Sequence, residues 1–73
     1  MNIMLAVDDL SVGDIVELPG WMLHEDLSGR YFEIKIEAIE HRGDLIWLHH
    51  HGDSRTWFTP GETVRLLRMG EAA

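Results

Sequence analysis

The sequence predicts an all-β fold: one small five-stranded barrel with tight Gly-Asp and Pro-Gly turns and one longer loop, residues 19–30. Three observations carry this. Glycines fall at 13, 20, 29, 43, 52, 61 and 70, the last four nine apart. Five of the seven precede an acid, at Gly13-Asp14, Gly43-Asp44, Gly52-Asp53, Gly61-Glu62 and Gly70-Glu71. Glycine admits positive φ, and a carboxylate after it can accept backbone N–H bonds in a turn. Between the turns lie short apolar runs, and turn signals every 8–12 residues between such runs mark a sandwich or barrel. A calcium-binding β-roll shares the nine-residue spacing but needs tandem Gly-Gly-x-Gly-x-Asp units, and the chain has none.

The elements follow in order. Asp14 to Leu18 is the first strand, ended by Pro19-Gly20. Residues 21–29 form the longest irregular stretch, with room for one helical turn. Residues 30–41 read as one continuous strand. Phe32, Ile34, Ile36 and Ala38 face one way, and Tyr31, Glu33, Lys35 and Glu37 the other. A helix would spread the same apolar residues around its circumference. Arg42-Gly43-Asp44 turns into a third strand over 45–50, residues 51–54 make a hairpin loop, and 55–59 is the fourth strand. Pro60-Gly61-Glu62 leads to the fifth, Thr63 to Arg68. Closing five short strands removes exposed edges and builds one core. The reading is a single domain over 1–73, with its core at about 9–68 and tails at 1–8 and 69–73.

Composition bounds the function. The chain has 73 residues, Lys+Arg 6 against Asp+Glu 13, and a formal charge of −7. With 45% hydrophobic residues it can fold. A domain this short buries only about 60% of its unfolded surface, so its core is small. It has no cysteine, hence no disulfide, thiolate zinc site or cysteine nucleophile. The apolar start Met1 to Val7 lacks a basic flank and meets Asp8 and Asp9 at once, unlike a signal peptide. No run reaches the roughly 20 apolar residues of a membrane span. The expectation is a soluble, cytoplasmic protein. Its few basic residues are scattered among acids, which argues against direct binding to nucleic acid or to an anionic membrane.

Leu10-Ser11-Val12-Gly13-Asp14-Ile15-Val16-Glu17-Leu18 has the pattern L-x-V-G-D-x-V-x-L. With the later Gly-Asp turn, Trp-Phe strand, Pro-Gly-Glu turn and Val-x-Leu-Leu strand, it resembles the small single-domain SH3-like β-barrel proteins of unknown function found in actinobacteria and their phages. The resemblance spans about 9–68 and implies a scaffold, since many unrelated functions sit on this architecture. Signalling SH3 domains carry paired aromatics in their first long loop, whereas residues 21–29 hold only Trp21.

Two groups of residues are candidate sites. His49 and His51 fall on one face of a strand, about 7 Å apart, where Asp53 or His24 would complete a metal site. The plainer reading is imidazoles solvated at a strand end, and no spaced His-x-x-x-His pair supports the metal. The cluster His49-His50-His51 also suggests a pH response. The second group is Trp21, Met22 and Leu23 in the long loop, with Trp57 beside Phe58 where one of the two must face outward. Exposed, these form a protein contact or homodimer seam; folded back, the loop plugs the barrel end. Trp47, between Ile46 and Leu48, reads as core. No nucleophile with an oriented base, no phosphate-binding loop and no cofactor motif is evident.

The functional expectation is therefore a non-enzymatic protein–protein interaction module, a phage or bacterial accessory protein whose partner carries a basic surface. An acidic nucleic-acid mimic and a histidine-based metal or pH-responsive module are the alternatives.

Overall fold

The computed structural model describes residues 3–23 and 29–70. Seven strands are present there: β1 (Ile3–Ala6), β2 (Ile15–Pro19), β3 (Tyr31–Lys35), β4 (Ala38–Arg42), β5 (Leu45–His49), β6 (Arg55–Phe58) and β7 (Thr63–Arg68). A 3-10 turn over Val7–Asp9 follows β1, and a one-turn helix, α1 (Gly20–Leu23), follows β2. The strands form two antiparallel sheets, ordered β1-β7-β2-β3 and β4-β5-β6. The all-β class holds. The closed five-stranded barrel does not: no ladder joins the two sheets among the described residues.

Two local events account for the difference. The first is at the N-terminus, where residues read as tail form β1 and pair with β7 from Ile3 opposite Leu66 to Ala6 opposite Thr63. Val7, almost fully buried, ends that strand and donates its N–H to the Glu62 carbonyl at 2.8 Å. Apolar packing at Leu5 and Val7 draws the segment onto the sheet.

The second event breaks the long strand at Ile36. Phe32, Ile34 and Ile36 turn inward as the alternation predicts, but beyond the break Ile39 packs on the core and Ala38 is exposed. The phase slips just past Ile36, the last residue held against the β2 side. Its N–H donates to the Asp14 carbonyl at 2.9 Å, and its carbonyl accepts from Gly13 N–H at 2.8 Å. Glu37 N–H then donates to the His49 carbonyl at 2.8 Å, which starts pairing in the second sheet. β3 and β4 thus belong to different sheets, and Ile36, wholly buried, is the corner between them.

The core lies between the two inner faces. Val16 and Leu18 of β2 and Val64 and Leu66 of β7 meet Ile46 and Leu48 of β5 and Phe58 of β6, with Val7, Leu10 and Ile36 closing the ends. Each strand contributes alternate residues, as a half-buried strand must.

Asp14, 5% exposed, ties the corner to the segment that follows β7. Its carboxylate accepts Ser11 N–H at 2.9 Å and Gly70 N–H at 2.7 Å. Gly70 sits so close that a Cβ there would lie 2.6 Å from the Gly13 carbonyl carbon. Asp14→Ala removes the acceptor for two N–H groups and should cost about 2–4 kcal/mol. Gly70→Ala should cost about 1–3 kcal/mol by overpacking. Urea unfolding measures both, and an Asp14→Ala midpoint equal to that of the parent chain would refute the role given to this carboxylate.

Candidate partner-binding face

β2 runs into Pro19 and Gly20, and Gly20 N–H donates to the Arg30 carbonyl at 2.8 Å. That bond closes the base of the long loop and sets α1 across one end of the sandwich. Met22 and Leu23 on α1 pack partly on the core. Trp21 points out, 62% exposed. The sequence-predicted face therefore divides. Two of its residues anchor the turn and one is displayed, a combination of the plug and contact readings. Residues 24–28, His24 among them, lie outside the described residues.

Trp57 is the fourth predicted residue. Phe58 is buried and Trp57 is 52% exposed, so the strand resolves the Trp-Phe pair as period two requires. Trp21 stands between two grooves. One, of about 490 Å³, is bounded by Met4, Glu17, Pro19, Tyr31 and Arg65. The other, of about 400 Å³, is bounded by Met22, Arg55, Thr56 and Trp57. Glu62 borders both. Exposed Trp21, Tyr31, Met4 and Trp57 thus gather around one end of the molecule. Tyr31 was legible as an outward residue of the alternating strand. Met4 was not, because β1 was read as tail.

The charged side chains on this surface are engaged locally. Glu17 and Arg65 lie 3.9 Å apart across the β2–β7 ladder. Glu62 accepts Thr59 N–H at 2.6 Å and Thr59 Oγ1–H at 3.0 Å, bracing the turn before β7. Trp47 lies opposite Trp57 on the outward side of β5, with the Arg55 guanidinium 4.8 Å from its ring centroid. Ile46 and Leu48 are core, so strand phase makes Trp47 a half-buried outer residue and corrects its reading as core. The stacked Arg55 covers it.

The histidines lie at the far end of β5 and face three ways. His49 Nε2 meets Glu40 Oε1 at 3.1 Å, and Glu40 also accepts from Arg42 Nη2 at 2.6 Å. His50 is 4% exposed, with Nε2 3.0 Å from Thr56 Oγ1. His51 is exposed in the hairpin loop. No three His, Cys, Asp or Glu side chains converge to hold a metal among the described residues. No helix there is long and apolar enough to cross a membrane.

Comparison with known proteins finds no matching family model, curated protein or solved structure.

Burial holds the His50 pKa below 6.5, with neighbouring His49 and His51 adding to the effect and Glu37 opposing it. The neutral ring is the form the fold prefers, so its stabilisation is complete above pH 6.5 and declines as pH falls below it. The Glu40 pKa is lowered by its bonds to Arg42 and His49, so any loss there comes below pH 4.5, in a separate window. Thermal melts between pH 7.5 and 5.5 should show Tm falling toward the acid side. His50→Gln, which keeps a polar neighbour for Thr56 without titrating, should flatten that slope, and equal slopes would refute the assignment.

Proposed function

We propose that this chain is a non-enzymatic protein–protein interaction module whose partner docks on the face around Trp21 and Trp57. One observation carries the reading: a 73-residue chain exposes 62% of Trp21 and 52% of Trp57 beside two contiguous grooves. Tryptophan is among the residues most enriched at the energetic centres of interfaces, and water contact over so much aromatic surface is costly. Its support on α1 is rigid, because Met22 and Leu23 are seated on the core. A side chain held in place loses little entropy on binding.

Charge narrows the partner. At −7 the chain attracts a positively charged surface, and complementarity of this kind speeds encounter. The acids at the face alternate with Arg65 and Arg55, and elsewhere Glu40 sits against Arg42. That interleaving favours a protein partner over the alternative of a nucleic-acid mimic, which needs unbroken rows of negative charge.

The test is affinity capture from nuclease-treated source lysate, using a tag other than polyhistidine. One protein should be retained in near-stoichiometric amount, and Trp21→Ser and Trp57→Ser should each abolish retention. Both side chains are exposed, so their melts should stay within about 4 °C of the parent. Retention by both variants, or their unfolding, would overturn the reading.

A further inference from the structure

We infer that the partner enters as an extended segment that adds a strand to the free edge of β6, a proposal that rests on the interaction reading above. β6 is the outer strand of its sheet. The phase of its ladder is fixed by His50 N–H donating to the Ser54 carbonyl at 2.9 Å, with the register unbroken through Leu48–Thr56 and Ile46–Phe58. Antiparallel pairs alternate between hydrogen-bonded and open. Thr56 and Phe58 therefore bond to β5, while Arg55 and Trp57 turn both N–H and C=O toward the outer edge. Among the described residues nothing bonds to those four groups. The next outward donor, Thr59 N–H, is already held by the Glu62 carboxylate at 2.6 Å, which stops the open stretch there.

This edge borders the groove of about 400 Å³ between β6 and α1, with Trp21 and Met22 as the opposite wall. A strand edge beside an apolar wall is how strand addition gains both affinity and selectivity: main-chain bonds supply the first, and pockets for alternate side chains the second. The occupant must be extended, with an apolar residue against Trp21 and Met22. Glu62 on the wall calls for a Lys or Arg two residues away, and the Arg55 guanidinium is drawn aside over the Trp47 ring. A second copy fits less well, since self-pairing would bring together two chains of charge −7.

The probe is a displayed library of random ten-residue peptides, selected on the full chain. Recovered peptides should alternate apolar and other residues and carry a basic one. Single backbone N-methylation at alternate positions, which deletes a donor and leaves side chains intact, should weaken binding about tenfold. Amide exchange should slow at Arg55 and Trp57 on binding. Arg55→Pro, which removes an outward N–H that β5 does not use, should bind more weakly than Arg55→Ala. Recovery of no peptide, indifference to every N-methyl group, or unchanged exchange at both amides would overturn the inference. A free chain that dimerises with Trp57 protected would overturn it in favour of a second copy. If capture from lysate still depends on Trp21 while these amides exchange unchanged, the interaction face stands and strand addition falls.

Discussion

The fold depends on one buried carboxylate. Asp14 is an acceptor only, and a charge out of contact with water is tolerated when its lone pairs are filled. It is filled by Ser11 N–H and by Gly70 N–H, 56 positions away in sequence, while its own carbonyl takes Ile36 N–H. Three segments that share no local signal are thereby pinned at one point. Closing a loop of that span costs chain entropy that a small core offsets poorly. Hydrogen bonds to an ionised acceptor, stronger than neutral ones, supply what packing at this size does not. Gly70 is part of the same arrangement, since a side chain on it would collide with the Gly13 backbone.

The corner at Ile36 decides how the two sheets are joined. Had the strand over 30–41 run on, β3 and β4 would be one strand joining the sheets, and β1 and β6 would still be the outer strands. Among the described residues the outer strands of the two sheets are β1, β3, β4 and β6. β4 is guarded by the exposed Arg42 and the paired Glu40 beside it. β6 is guarded only by its shortness and by Arg55, whose guanidinium is turned onto Trp47. The free edge of β6 follows from the strand order and does not depend on the corner.

Much of this was legible in period-two patterning. β3 up to Ile36, the inward set of β5, the outward Trp57 and the bounds of β7 all follow from alternation and from Gly or Pro at the turns. Where the reading failed, the deciding interaction was distant. Ala38 continued the apolar alternation, so nothing within residues 30–41 announced the break after Ile36. β1 offered four apolar residues without alternation, and its partner β7 lies some sixty positions on. His50 reads as a solvated strand end, but Thr56, diagonal to it on β6, takes its ring nitrogen into a buried hydrogen bond. Trp47 was the avoidable error, because inward Ile46 and Leu48 already required it to face out. For the face itself, Trp21 and Trp57 were identifiable by type, but their convergence with Tyr31 and Met4 needed the three-dimensional arrangement.

Size also constrains how such a chain can bind. Its accessible surface is 5076 Å², and a stable interface takes about 800 Å² from each partner, roughly a sixth of that total. A flat face of such extent would span both grooves and the Glu17–Arg65 pair, and an exposed ion pair contributes little. Main-chain bonding at an edge relaxes the requirement. Four outward groups on Arg55 and Trp57 are directional, already ordered by the ladder to β5, and need no side-chain entropy to be spent. Trp21, held by a turn seated on the core, then supplies apolar contact at the one point where an added strand would present a side chain to it. A small acidic sandwich can be selective in this way without a large core or a deep cleft.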